Sequence, residues 1–283
     1  MSRFEAQPHP LLRPYVHSYW GFVRDLTQMG TFTVTPDCFL ELLFFVDPPM
    51  VEDARGTHQL PACTLIPLLR EPLRLITTGY VRCAAVRLHA WSSGLIFAQA
   101  DDGTAAWYDA SERVADLIPA VTDAVRRAAW TDVATLFDAT LPRFLTGVQH
   151  AALSAVKPFL AEPGDLPAPP TTNVAAEHGR SRRQVERQVR ALTDRSPKQL
   201  VCLRRFQFVR DRLWSRPDTA LDALAIEAGY ADQAHLTREF RRYAARSPRA
   251  FTRDCERLKT FLSDEDVAFV QDAVNAHAYD GGT

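Results

Sequence analysis

The sequence predicts an α+β protein of two domains, a small β-barrel or sandwich with flanking helices followed by an all-α domain with two helix-turn-helix units. Three observations support this fold class. The 283 residues exceed the usual length of one domain. Short apolar runs fill the first third of the chain, and from about residue 111 the apolar spacing changes to three and four residues. In the last third, a short motif recurs after about 50 residues.

Strand patterns come first along the chain. Residues 15–46 contain the runs YVHSYWGFVRD, TFTVT and FLELLFFV, which turn residues interrupt, and ACTLI, LRLITTG and VRCAAVRLHA follow. Closely spaced short strands without a long helix between them favour an antiparallel barrel or sandwich. We therefore expect residues 1–145 to be a β-rich domain that ends in helices.

Amphipathic helices and a linker come next. Apolar residues at helical spacing are Val114, Leu117, Ile118, Val121, Val125, Val133, Leu136, Phe137, Leu141, Phe144 and Leu145. The stretch AEPGDLPAPPTT is rich in Pro and Gly, which is typical of a linker. We place the linker region at 146–172, a second, helical domain at 173–256 and an acidic helical extension at 257–283.

The net charge conceals a division along the chain. Its value of -1 argues against a polyanionic partner. Residues 171–254, however, carry 18 basic and 10 acidic side chains, a net of +8, which leaves -9 on the remainder. The neutrality is therefore a cancellation between a basic segment and an acidic remainder.

An internal repeat occupies the basic segment. VAAEHG at 174–179 corresponds to LAIEAG at 224–229, and Ser196-Pro197 corresponds to Ser247-Pro248. Each copy predicts a helix, a Gly turn, a second helix and a Ser-Pro that begins the next element, which together form a helix-turn-helix. A long helix over SPKQLVCLRRFQFVRDRLW joins the copies, and at roughly 30 Å it nearly matches one DNA turn of about 34 Å.

The second helix of each copy has an apolar face and a polar face. Outward positions are Arg182, Arg183, Glu186, Arg187 and Arg190 in the first copy, and Gln233, His235, Arg238, Arg241 and Arg242 in the second. Arg forms two bonds with guanine and Gln two with adenine in a major groove. The alternative, a merely solvated cationic face, explains either helix by itself but explains the repeat poorly.

These motifs resemble the DNA-binding domain of the AraC/XylS family of bacterial transcriptional regulators over residues 157–254. Gly229-Tyr230-Ala231-Asp232-Gln233 and Phe240-Arg241-Arg242 carry the resemblance most strongly. The family places positions equivalent to Arg183, Arg187, Gln233, His235 and Arg238 at or near the bases, and we add Arg182 and Glu186.

The chain departs from the family at two turn positions, and its N-terminal residues show a second, weaker resemblance. Asp194 and Ala245 stand where the family commonly has Gly, and because Ala tolerates a left-handed conformation poorly, we expect the second turn to be built differently. Towards the N-terminus, YVHSYW and Pro36-Asp37-Cys38 resemble, more weakly, a sensory domain found in a subgroup of these regulators.

The resemblance implies a cytoplasmic, nucleoid-associated transcriptional regulator that is not an enzyme and needs no cofactor. It also implies that residues 1–145 are a sensor or oligomerisation domain and that residues 173–256 are a DNA-binding domain, whose partner is double-stranded promoter DNA. RNA polymerase, a small-molecule effector and a second copy of the chain are further candidate partners, whereas a membrane is not.

Alternatives concern the N-terminal residues. We expect His17, His58 and His89 to be ordinary polar side chains, Glu41 to be solvated rather than oriented towards a ligand, and no metal site. The aromatic residues could form a pocket or simply core: Trp20, Phe22, Phe32, Phe44, Phe45 and Trp91.

We expect the five cysteines to be free buried thiols. The rival functions are a DNA alkylation-repair methyl acceptor with zinc-bound cysteines, drawn from Cys38, Cys63 and Cys83, and an adaptor that does not bind DNA.

Overall fold

The computed structural model describes residues 2–25, 31–53, 56–76, 79–92, 105–145, 156–160 and 171–261. The chain divides into two compact units. The β-rich unit comprises Met1–Val34, Phe39–Leu153 and Arg190–Asp194, and the helical unit comprises Thr35–Cys38, Ser154–Val189 and Arg195–Thr283. Most of the predicted linker region 146–172 and of the predicted extension 257–283 lies outside the described residues.

Ten strands form two antiparallel sheets in the described part of the β-rich unit. They are β1 (Ser2–Ala6), β2 (Val16–Asp25), β3 (Thr31–Val34), β4 (Phe39–Phe45), β5 (Met50–Asp53), β6 (Gly56–Gln59), β7 (Cys63–Ile66), β8 (Leu73–Ile76), β9 (Tyr80–His89) and β10 (Tyr108–Asp109). One sheet has the order β1-β2-β9-β4-β7-β10 and the other the order β3-β8-β5-β6. Two sheets fit the sandwich form of the prediction.

The central strand β4 shows why the larger sheet is apolar on both faces. Side chains alternate across a strand, so Leu40, Leu42 and Phe44 point to one face. They lie buried in a cluster that includes residues of the flanking helices. Leu43 and Phe45 point to the other face and are buried in a second cluster with residues of β5 and β8. The continuous run FLELLFF is therefore a strand with both faces covered.

Two helices, α1 (Ile118–Arg126) and α2 (Trp130–Thr140), cover one face of the larger sheet. The Tyr19 hydroxyl donates to Asp138 Oδ1 at 2.8 Å, and Trp130 stacks on Phe4 at 4.9 Å. The predicted periodicity begins earlier than the helix, because residues 111–117 form turns. Pro119, in the first turn of α1, suits a helix start because its φ angle is already helical.

The helical unit contains seven described helices. They are α3 (Lys157–Leu160), α4 (Thr171–Glu177), α5 (Arg182–Thr193), α6 (Pro197–Ser215), α7 (Leu221–Glu227), α8 (Gln233–Ala244) and α9 (Pro248–Phe261), of which α5 ends in the segment Arg190–Asp194 that groups with the β-rich unit. The long helix α6 is the centre of the unit, and its apolar side chains Leu200, Phe206 and Val209 are fully buried. Nowhere in the described ranges is a helix long and apolar enough to cross a bilayer.

Candidate nucleic-acid interface

The two copies of the repeat have the same turn geometry. Gly179 and Gly229 both have positive φ angles, 60° and 76°. Arg180 N donates to Ala175 O at 2.8 Å in the first copy, and Tyr230 N donates to Ala225 O at 2.8 Å in the second. A bond of this span, closed over a left-handed residue, is the usual C-terminal cap of a helix, and Gly adopts that conformation without steric cost. The copies are thus two equivalent helix-turn-helix units, α4-α5 and α7-α8.

In the first unit, α5 has one buried and one exposed face. Val185 and Val189 are fully buried, whereas the four predicted arginines Arg182, Arg183, Arg187 and Arg190 are exposed. Ser181 begins the helix, since its hydroxyl accepts from Gln184 N at 3.3 Å while its own amide donates to the Gln184 side chain at 2.7 Å. This reciprocal cap satisfies amides that would otherwise lack partners at the start of the helix.

Two predicted residues of α5, Arg182 and Glu186, are paired with each other within the helix. Arg182 Nε donates to Glu186 Oε1 at 2.8 Å, four residues along. Side chains at this spacing lie on one face of a helix, so the pair is a surface ion pair. Glu186 is half-buried and reduces the positive charge beside Arg182.

In the second unit, α8 repeats this arrangement on a larger aromatic core. Leu236, Phe240 and Tyr243 are buried, and Phe206 of α6 contacts the last two rings at 5.1 Å each. The outward set is exposed at Gln233, Arg238, Arg241 and Arg242 and half-buried at His235. The apolar face of α8 is therefore held against the connector α6 by ring packing, and the opposite, outward face stays exposed.

The start of α8 is fixed by Asp232. Its carboxylate accepts from His235 N at 2.6 Å, and Asp232 itself has extended backbone angles, as an N-cap requires. The carboxylate also complements the positive end of the helix dipole. The cap thereby fixes the backbone that carries Gln233 and His235.

The turn that follows each second helix corrects one expectation. Asp194 and Ala245 both adopt the left-handed conformation, with φ angles of 53° and 54°. The second turn is therefore built like the first, and the expected difference is wrong. The Ser-Pro after each turn begins a helix in both copies, since Ser196 Oγ accepts from Gln199 N and Ser247 Oγ accepts from Ala250 N. Ala245 therefore has a left-handed φ angle that its Cβ disfavours, in the turn between α8 and the helix that begins at Pro248.

Sequence reasoning missed Arg205 of α6, which packs against the Gly229 turn of the second unit. Its guanidinium carbon lies 5.7 Å from the ring centre of Tyr230, and that ring meets His235 edge-on at 5.2 Å. A Cβ on Gly229 would lie 3.3 Å from Arg205 Nη2, so the absence of a side chain there also makes room for the guanidinium. Arg205 lies in a run of arginines that looks like one basic surface in the sequence. Arg204 and Arg210 of the same run are buried, at 3% and 6% exposure, so the run itself did not indicate the contact of Arg205.

The β-rich unit corrects the expectation for Glu41. Its carboxylate receives bonds from Arg87 Nε at 2.6 Å and from Trp20 Nε1 at 2.9 Å. The side chains of Glu41 and Arg87 are 13% and 9% exposed, so Glu41 is a nearly buried partner of Arg87 and not a solvated carboxylate. Glu41 is buried because Arg87, opposite it in the neighbouring strand β9, pairs with its carboxylate.

The aromatic candidates divide between core and partial exposure. Phe44 and Phe45 are core residues and Trp91 is buried, whereas Trp20 and Phe22 are half-buried and stacked at 6.0 Å. The side chain of Phe32 lies outside the described residues. His17 and His89 contact one another and the Phe39 ring, and His58 lies 3.6 Å from Asp53.

The surroundings of the cysteines bear on the rival function of a zinc-bound methyl acceptor. Cys38, Cys63, Cys83 and Cys255 are buried and Cys202 is half-buried. Burial raises the pKa of the Cys83 thiol to about 12, and it raises the pKa values of Cys38 and Cys63 further. Reactive or metal-bound cysteine requires the thiolate, which these surroundings disfavour. Over the described ranges, no cluster of three His, Cys, Asp or Glu side chains is arranged to hold a metal ion.

Comparison with known proteins gives one family match and several structural neighbours. Residues 174–254 match a family model described as a helix-turn-helix domain. The solved structures include ToxT from Vibrio cholerae, with a TM-score of 0.48 at 7% identity over 83% of this chain and 97% of that chain. A transcriptional regulator from Chromobacterium violaceum with an AraC-type DNA-binding domain has a TM-score of 0.32 at 19% identity over 37% of this chain and 91% of that chain. No curated protein matches the sequence.

Proposed function

We propose that this protein, whose residues 174–254 form an AraC-type helix-turn-helix domain, is a sequence-specific transcriptional regulator that binds double-stranded promoter DNA. The observation that carries the proposal is the equivalence of α5 and α8. Each follows an identical Gly turn, buries an apolar stripe and exposes a face dominated by arginine. A solvated surface does not require two such faces at equivalent positions of a repeat, whereas two successive major grooves do.

Base contacts are assigned to the outward residues near the starts of the two helices. Arg183 and Arg187 of α5, and Gln233, His235 and Arg238 of α8, would reach base edges, because the N-terminal part of a recognition helix enters the major groove. Residues at the later turns, Arg190, Arg241 and Arg242, would contact phosphates. Glu186 would hold Arg182 through their ion pair, so that Arg182 approaches the DNA backbone in a fixed orientation.

The connector supplies the spacing between the two reading helices. α6 has 19 residues, which correspond to about 28 Å of helix. One turn of B-DNA is roughly 34 Å, and the lateral offset of the attached helices supplies the remainder. The capping box of Ser196 and Gln199 fixes the start of this spacer. The expected operator therefore has two half-sites about 10 base pairs apart on one duplex face.

Control by a small-molecule effector is the second part of the proposal and belongs to the β-rich unit. The nearly buried Glu41–Arg87 pair lies beside half-buried aromatic rings, with the Arg87 guanidinium carbon 5.5 Å from the Phe39 ring centre. Apolar walls with a few oriented polar groups are the usual form of a ligand site. RNA polymerase and a second copy of the chain stay predicted partners.

The test is binding of the full chain to duplex DNA as a function of salt. Fluorescence anisotropy with sheared genomic DNA should show affinity falling by about 10³-fold or more between 50 and 200 mM salt if six or more phosphates are contacted. Selection from random duplexes should then enrich a bipartite site. Affinity that does not change with salt, or selection that enriches no sequence, would contradict the proposal, and the first result would favour the adaptor.

A further inference from the structure

The segment Thr35–Cys38, between β3 and β4 in the sequence, groups with the helical unit. It forms no strand. Cys38 N donates to Gln207 Oε1 at 3.0 Å, and Arg210 Nη1 donates to Pro36 O at 3.1 Å, in contacts that are both buried. Arg210 Nη1 also reaches Thr35 Oγ1 at 3.3 Å. Side chains of α6 therefore bond to backbone groups more than 160 residues away along the chain.

These bonds explain a feature of α6 that its apolar pattern does not. Gln207 and Arg210 are only 3% and 6% exposed, although both are strongly polar. Burying an amide or a guanidinium without partners is costly, and a buried backbone amide or carbonyl also needs a partner. Helix and segment meet both needs at once, since the amide of Cys38 and the carbonyl of Pro36 are bonded by these side chains.

The positions of Gln207 and Arg210 indicate that one face of α6 contacts the segment. Residues 207 and 210 are three apart, so they lie on one face of α6, and Arg210 Nε is held by Asp211 Oδ1 at 2.8 Å. Cys38 is 8% exposed in this contact, and burial is the main cause of its raised thiol pKa. Pro36 and Cys38 are thus buried, whereas Thr35 and Asp37 are half-buried.

We propose that Thr35–Cys38 is a strap that completes the DNA-binding unit by bonding to α6. Because α6 joins the two helix-turn-helix units, its support and the geometry of both reading helices change together. The regulatory part of this inference rests on the proposed function, whereas the anchoring part does not.

Thiol labelling of the full chain tests the anchoring without DNA. Cys38 reacts with N-ethylmaleimide only when the strap opens, and Cys63 of β7, also buried, reports opening elsewhere. Gln207→Leu and Arg210→Met keep the side-chain bulk and remove the bonds. Each should accelerate labelling of Cys38 at least tenfold, with Cys63 changing less than twofold, as followed by peptide mass spectrometry.

Matched variants make the result decisive. Arg212→Met, on the same helix but bonded to Glu227, should leave both labelling rates unchanged. Thr35→Val, which removes only the hydroxyl acceptor, should accelerate Cys38 about twofold to fivefold. An unchanged rate at Cys38 in Gln207→Leu and Arg210→Met, or an equal acceleration at Cys63, would overturn the strap.

The coupling is tested by adding sheared genomic DNA to the wild-type protein. Saturating duplex should slow labelling of Cys38 at least threefold and leave Cys63 unchanged, because DNA holds the α6 geometry that the strap supports. A protein that binds duplex while Cys38 labels at its former rate would overturn the coupling. Failure to bind duplex at all would instead contradict the proposed function, while the DNA-free labelling still decides the anchoring.

Discussion

Glu41 and Arg87 face each other across β4 and β9, and Arg87 Nε lies 2.6 Å from Glu41 Oε1 with both side chains nearly buried. The pair stands among apolar neighbours, since Leu43 and Ala85, the next residues on the same face, are core. Trp20 Nε1 supplies a further bond to the carboxylate. A buried pair of this kind contributes little net stability, because desolvation offsets the attraction, yet each partner makes burial of the other tolerable.

Removing one partner should therefore be far worse than removing both. Arg87→Met should lower the free energy of unfolding of the β-rich unit by about 3–5 kcal/mol, because Glu41 would be left as an uncompensated buried charge. The double variant Glu41→Leu with Arg87→Met should recover most of that loss. Urea unfolding followed by tryptophan fluorescence measures both, and Arg82→Met, whose partner Asp47 is exposed, is the control with a loss below about 1 kcal/mol. A double variant as unstable as the single one would contradict this account.

Ala245 should be a site where glycine stabilises the protein. Its φ of 54° places Cβ close to the carbonyl oxygen, at a cost of roughly 1–2 kcal/mol, and glycine avoids that cost while losing about 0.5–1 kcal/mol of backbone entropy. Ala245→Gly should thus raise the free energy of unfolding by about 0.5–1 kcal/mol. Ala191→Gly, at an exposed position inside α5, should lower it by a similar amount. If both variants change the free energy of unfolding in the same direction in urea, the strain at Ala245 is relieved elsewhere.

The helical part of the fold was predictable because its signals are local. Gly turns, Ser-Pro starts and apolar stripes at three and four residues each depend on nearby residues, and all recur in both copies. Four short strands were harder. β1, β5, β6 and β10 were missed, because the short segments SRFEA, MVED, GTHQ and YD owe their conformation to pairing with neighbouring strands rather than to a pattern of their own.

The candidate residues show the same limit. The exposure of Arg187 and Arg238 follows from helical periodicity, but the burial of Glu41 depends on Arg87, which is 46 residues away along the chain. Likewise, a run of arginines in α6 looks like one basic surface until packing buries Arg204 and Arg210. Long-range partners decide such positions, and the spacing of residues within one segment does not contain them.

Asp232 should contribute both to the stability of the protein and to its affinity for DNA. Asp232→Ala removes the acceptor for His235 N and should lower the free energy of unfolding by about 0.5–2 kcal/mol. Because the same cap fixes the first turn of α8, affinity for a selected operator should fall as well. Asp232→Ser, which keeps an acceptor, is the matched control and should retain most of both quantities. Wild-type stability in Asp232→Ala, measured by thermal unfolding, would mean that water replaces the cap.

Arg187 and Arg238 should each contribute to specificity, and the two should be equivalent because they occupy corresponding positions of the repeat. Both are exposed on the outward faces of α5 and α8. If each forms two bonds with a guanine, Arg187→Ala or Arg238→Ala should weaken binding to the selected operator by about 1–3 kcal/mol, and binding to random duplex much less. Each loss should be confined to a different half-site, so that base changes there no longer matter to the variant.

Phosphate contacts would behave differently, and this separates the two roles. A phosphate-binding arginine lowers affinity for all sequences alike, and its removal reduces the salt slope by about 0.9. Arg241→Ala is expected to show that behaviour, and Arg126→Ala, exposed at the end of α1, should change neither quantity. Equal losses on operator and random duplex for Arg187→Ala and Arg238→Ala would move both residues to the phosphate backbone, and base readout would then have to come from Arg183, Gln233 and His235.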